Sequence, residues 1–302
     1  MSTEPSQRTG VILILCGALA VGLMPSAAKI AYHEGANPLA VILLRSIIGV
    51  IGIGLYLWIK KYRFNISWRE FRFSSVTGIA QSFCSLGIMA SIAYINLSLA
   101  MVIIFCFPFW VLVYNHFRGT SKLTPIIMGC FFLALLGLSL ALGLELGEMS
   151  QTGLSLAVMG MFSMAAMVII VAHSSTAIGP IPANFYMTCW TFVYFLIIAF
   201  SLPKLGIIDP ASYPQTIRGW IAIVGTGASF SFGYVLFFVG ASIIGTTRAS
   251  LLCISEPIMI ILVAVLLVDE RLDPIQWLGI SLVIGSLMVL ELPKKKRPGV
   301  NS

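Results

Sequence analysis

Residues 73–117 contain no Asp, Glu, Lys or Arg, and neither do residues 149–203. Each stretch is too long for one membrane crossing of about 20 residues and fits two crossings with a short connection. The breaks fall near Ala93-Tyr94-Ile95-Asn96 and within residues 174–182, Ser-Ser-Thr-Ala-Ile-Gly-Pro-Ile-Pro. The rest of the chain agrees, with 59% of its 302 residues hydrophobic and 10% charged; a soluble domain carries about 25% charged residues. The fold class is therefore an all-α, polytopic membrane protein.

Apolar runs bounded by Gly, Pro or charges predict ten transmembrane helices, near 10–32, 38–60, 72–94, 97–116, 124–144, 152–173, 183–203, 217–240, 246–268 and 274–292. Placing the N-terminus inside puts Arg8, Lys60, Lys61, Arg63, Arg69, Arg72, Arg118, Lys122 and Lys294–Arg297 on the inner side. The outer side then holds little beyond Lys204, Arg218 and Arg271, so both termini are expected in the cytoplasm. The net charge of +7 belongs to these inner segments, which argues against nucleic acid as a partner. All six cysteines lie in apolar runs without metal-ligand spacing and read as packing residues. No cofactor or metal is expected. The first apolar segment is full length with no clear cleavage site and reads as a retained helix.

The chain also repeats itself. A shift of 149 residues carries Thr77-Gly78 to Thr226-Gly227, Pro108 to Pro257 and Pro125 to Pro274, while Gly10 and Gly17 match Gly153 and Gly160 at a shift of 143. The expected units are residues 1–148, residues 149–292 and a basic cytoplasmic tail, 293–302. Five crossings per unit is an odd number, so the second repeat is inverted relative to the first. Inverted repeats are typical of secondary transporters, with the solute near the midplane between the halves.

Glu256 interrupts the apolar run of the ninth helix about 15 Å from its start. A charge there costs on the order of 2.5–3.5 kcal/mol unless it meets a partner or a wet cavity. Pro257 beside it removes one backbone donor and loosens the helix, and Pro108 occupies the matching position in the first repeat. Glu256 is a candidate for holding a cationic group or a proton; the alternative is that it pairs with a buried Arg or Lys and braces the bundle. Arg45 lies about 10 Å in from the outer surface, too deep to reach it comfortably, and is a candidate for lining the pathway. Lys29 is a weaker one, since its side chain can reach the headgroups. Gln81, Ser85 and Tyr234 are deep polar positions and candidates for the cavity, with Trp110 and Trp190 as further aromatic candidates. Arg248 is expected to snorkel to the inner surface.

The ending SEPIMIILVAVLLVDERLDPIQWLGISLVIGSLMVL resembles the EamA-type members of the drug/metabolite transporter superfamily. The resemblance rests on Glu256-Pro257, Glu270-Arg271-Leu272, Gly279 and Gly285, with Pro38, Arg45 and Lys29 earlier, and it extends over nearly the whole chain. In the first half Ser121-Lys122-Leu123 replaces the family's Glu-Arg-Leu, and the repeat partner of Glu256 is Phe107. The resemblance implies transport of a small solute across a bacterial inner membrane, commonly export of amino acids or other metabolites.

The function expected is a secondary transporter that exports a small polar metabolite, an amino acid or an organic acid, by alternating access, with Arg45 attracting a carboxylate and Glu256 holding an amino group or a coupling proton. A channel-like facilitator and a non-transporting scaffold are the rival readings. An intramembrane enzyme fits poorly: Gly227-Ala228-Ser229-Phe230-Ser231 lacks the closing glycine of a serine-nucleophile motif, and no histidine falls at its depth. No Walker motif is present for ATP-driven pumping. Ten crossings suffice for a pathway within one chain, as a monomer or within a homodimer.

Overall fold

The computed structural model describes residues 6–62, 66–143, 150–206, 208–259, 261 and 272–291, with the backbone alone at 176, 290 and 291. Among these the secondary structure is helical throughout, without strands. The helices are α1 (Gln7–His33), α2 (Pro38–Ile59), α3 (Trp68–Ser91), α4 (Leu97–Ile104), α5 (Phe107–Phe117), α6 (Pro125–Ala141), α7 (Gln151–Ile178), α8 (Pro180–Ser201), α9 (Ile217–Ile244), α10 (Thr246–Leu252) and α11 (Pro274–Glu291). Taking α4 and α5 as one span, seven helices among the described residues are long and apolar enough to cross a membrane. Two shorter apolar helices, Pro125–Ala141 and Pro274–Val289, accompany them. Most of 260–271, the later part of the expected ninth helix, lies outside the described residues, as does the tail 292–302.

Helix starts are set by local chemistry. Ser6, Asn37, Thr124, Ser150 and Thr216 each accept a backbone N–H of the first turn through the side chain. Ser67 and Glu70 form a reciprocal capping box on α3.

Two connections are tighter than the sequence suggests. The expected loop over 174–182 shrinks to Gly179 alone, with α7 running to Ile178 and α8 starting at Pro180. In the same way α9 continues past 240 to Ile244 and turns at Gly245 into α10. Both glycines take nearly the same backbone angles, φ 88 and ψ 156 at Gly179 and φ 85 and ψ 153 at Gly245. That region is open in practice to glycine only, so a sharp corner replaces a loop.

Close packing between the halves uses small residues. A Cβ on Gly87 would stand 2.5 Å from the Gly160 Cα, and one on Gly17 would stand 2.9 Å from the Gly233 carbonyl oxygen. These contacts join α3 to α7 and α1 to α9. Gly10 packs on Ile243 and Ile244, while Gly153 packs on Tyr94 and Ile95. The glycines differ by the shift of 143 and their partners by the shift of 149, so one contact occurs twice with the halves exchanging roles. In a membrane, where apolar burial between helices gains little, such close approach is what holds helices together.

Two spans are discontinuous. The run 97–117 breaks at Phe105–Cys106, with Pro108 in the first turn of α5. The run from 246 breaks at Cys253–Ile254 and resumes as helix over 255–259, with Pro257 in its first turn. A proline in a first turn costs nothing, because its missing N–H is one the helix leaves unpaired anyway.

Candidate functional site

Arg45, two turns into α2, is 1% exposed. Its Nη1 donates to Met24 Sδ at 3.0 Å and its Nη2 to Ser85 Oγ. Its Cζ lies 4.7 Å from the centroid of the Phe230 ring, a distance at which an aromatic face attracts a cation. The Nε has no partner. Ser85 also accepts from Gln81 Nε2 at 3.0 Å, leaving Gln81 Oε1 buried and unpartnered. Neutral groups therefore hold the guanidinium from α1, α3 and α9, and part of its hydrogen-bonding capacity is left over.

Tyr234 is one turn beyond Phe230 on α9, with ring centroids 4.7 Å apart, and its side chain lies beside Gln81. Both Tyr234 and Cys84 are within electrostatic reach of Arg45 and also of Glu256. Glu256 follows the break at Cys253–Ile254 and is 7% exposed, with no hydrogen bond or ion pair from its carboxylate to another described side chain. The ion pair among the described residues is elsewhere, Arg218 to Glu34 at 4.0 Å. Two ionisable groups of opposite sign thus lie buried within electrostatic reach of the same Tyr234 and Cys84 without pairing with each other. An uncompensated buried charge costs several kcal/mol, by order of magnitude.

The structure brings together Arg45, Gln81, Ser85 and Tyr234, with Glu256 within electrostatic reach of Tyr234. Lys29 stands apart, exposed near the end of α1. Trp110 is 38% exposed and packs on Phe162 of α7, with ring centroids 4.8 Å apart. Trp190 sits in the contact of α8 with α3, donating Nε1 to Ser74 Oγ at 3.1 Å and stacking on Tyr194. Arg248, expected to snorkel to the inner surface, donates to Gln7 Oε1 at 2.8 Å near the start of α1.

Three contributors carry no mark in the sequence. Met24 and Phe230 look like ordinary apolar filling. Asn184 was hidden by the loop expected up to 182, which put it at a helix end; the Gly179 corner moves it a full turn inside α8, where it is 0% exposed with Oδ1 and Nδ2 both unpartnered. A cavity of about 490 Å³ lies between α7, α8, α9 and α10, bounded by Phe237, Phe238, Thr246 and, one turn before Asn184, Pro180.

The EamA-like transporter family matches residues 8–143 and again 151–292. The chain belongs to the EamA-like transporter family. Among curated relatives of this EamA-family chain, "Uncharacterized transporter YcbK" of Bacillus subtilis is 24% identical over 295 residues, 95% of this chain and 94% of that one. "Uncharacterized inner membrane transporter YicL" of Salmonella typhimurium is 31% identical over 78 residues, 26% of this chain and 25% of that one. A solved crystal structure at 12% identity superposes with a TM-score of 0.75 over 95% of this chain and 99% of its own, a likeness of fold. Family and relatives point to a multi-pass membrane transporter, with a small molecule and the bilayer as partners, and away from an enzyme.

Proposed function

We propose that the protein is a secondary transporter of the bacterial inner membrane, exporting a small amino acid or related polar metabolite by alternating access. In this reading ten crossings form two inverted repeats, 1–148 and 149–292, with both termini and the basic tail in the cytoplasm. The observation that carries it is the pair of buried groups of opposite sign, Arg45 and Glu256, unpaired with each other and both within electrostatic reach of Tyr234 and Cys84.

Arg45 receives the solute carboxylate through its free Nε, and Phe230 and Tyr234 face the solute's apolar part. Glu256 takes the ammonium on the loaded leg. On the return leg a proton occupies the same carboxylate, because crossing as a bare buried anion is costly. Exchange of ammonium for proton at one carboxylate makes the carrier a solute/proton antiporter. The broken spans beside Pro108 and Pro257 supply the points at which the halves flex, as discontinuous helices do in inverted-repeat carriers.

The test is counterflow in liposomes containing the purified protein, with a labelled panel of amino acids, organic acids and nucleosides. Amino acids are expected to exchange saturably in the wild type. Glu256→Gln is expected to keep slow exchange and lose accumulation driven by a pH gradient. Wild-type protein that moves no member of the panel, or moves them without saturation, contradicts a carrier.

A further inference from the structure

Asn184 is the most buried polar side chain that the central cluster leaves unexplained. Both polar atoms of its carboxamide lack partners, at a cost of about 1–3 kcal/mol for each group left unsatisfied. Helix α8 presents Pro180, Asn184, Thr188 and Thr191 along one stripe at helical spacing, and the last three are all 0% exposed. Thr188 places its Cγ2 3.1 Å from the Cβ position of Gly49, which is one turn beyond Arg45 on α2. Counting turns from that contact, Asn184 lies about 12 Å further along the bundle than Arg45, at 1.5 Å per residue. Pro180, about 6 Å further still, bounds the cavity of about 490 Å³.

Helix α9 descends beside it in the same order. Phe230 lies against Arg45, Tyr234 comes one turn later, and Phe237 and Phe238 bound the same cavity. Both stripes therefore run from the central cluster to one vestibule at the ends of α7 and α9 marked by the Gly179 and Gly245 corners. On the α8 stripe Thr188 and Thr191 donate to Asn184 O and Met187 O, carbonyls of their own helix. Asn184 alone of these has its side chain uncommitted.

We propose that Asn184 is a second solute-binding station, on the inner side of the central site, where the solute's polar head rests between the central cluster and the vestibule. A carboxamide donates through Nδ2 and accepts through Oδ1. It thus accommodates a ligand carrying both a carboxylate and an ammonium, without the charge that would hold the ligand too firmly. This inference rests on the transporter reading above.

The experiment combines melting temperature in detergent with sided kinetics of labelled leucine in oriented liposomes, for wild type, Asn184→Ala and Asn184→Val. Removing a polar group that has no protein partner is expected to leave Asn184→Val melting at or above wild type. Half-saturation for leucine presented at the vestibule side is expected to rise roughly tenfold, the equivalent of one lost hydrogen bond, with the opposite side unchanged. Two results overturn the proposal: both variants melting below wild type with half-saturation unchanged on both sides, which makes Asn184 a structural residue, or half-saturation rising equally from both sides. If wild-type protein exchanges neither leucine nor any other member of the panel, the transporter reading fails first. If it exchanges leucine and the variants match it from the vestibule side, only the second station fails.

Discussion

The glycine contacts between the halves and the polar cluster at their centre obey opposite rules. Gly17 on Gly233 and Gly160 on Gly87 bring one helix of each half into backbone contact, and that contact is made twice. The centre is made once. At the shift of 149, Gln81 and Ser85 correspond to Phe230 and Tyr234, and Glu256 to Phe107. Repeat-related positions still converge on Arg45, but one half brings hydrogen-bonding groups and the other an aromatic wall. The frame repeats its contacts in both halves, while the inward positions at its centre differ between them.

The largest effect is expected in the frame. Gly87→Val places a side chain 2.5 Å from the Gly160 backbone, and neither backbone can retreat without parting α3 from α7. Size-exclusion chromatography is expected to show no folded protein, whereas Gly129→Ala, with open space around it, is expected to behave as wild type. At the centre the sign on stability reverses. Arg45→Met removes a buried charge held by neutral partners, so it is expected to melt no lower than wild type. Its kcat/KM for the transported solute is expected to fall roughly 10- to 150-fold, the equivalent of about 1.5–3 kcal/mol for a charge-assisted contact. A large loss of stability with transport intact would make Arg45 part of the frame instead.

Gly245→Ala is a smaller perturbation that isolates the corner. Nothing lies within 4 Å of the added methyl, so the cost is backbone strain alone, about 1–3 kcal/mol, read as a lower melting temperature. The smallest effect is expected at Trp190→Phe, which loses the hydrogen bond to Ser74 and about 0.5–1.5 kcal/mol with kinetics unchanged. A marked fall in transport there would return Trp190 to the solute pathway.

These differences trace what the sequence could and could not reveal. Arg45 and Glu256 are legible because a charge in an apolar run stands out whatever its neighbours. Gly10, Gly17, Gly153 and Gly160 are legible as a repeat, and the folded chain adds what the repeat is for. Phe230 and Met24 are not legible, since an apolar residue beside a guanidinium looks like any other core residue until distant helices meet. Asn184 was concealed by a corner: Ser-Ser-Thr-Ala-Ile-Gly-Pro-Ile-Pro reads as a loop, yet only Gly179 leaves the helix. Local polarity argues for a turn there, and the bundle overrides it by making helix up to the one residue that tolerates the bend.

The central claim is that Arg45 reads the solute carboxylate and Glu256 its ammonium. The most direct test is competition against labelled leucine counterflow by isoamylamine, which lacks the carboxylate, and isocaproate, which lacks the amino group. In wild type both are expected to compete more weakly than unlabelled leucine. Arg45→Gln is expected to abolish the disadvantage of isoamylamine, and Glu256→Gln that of isocaproate, each leaving the other intact. If both variants preserve the wild-type ranking of all three competitors, the two charges do not read the solute and the account is wrong at its centre.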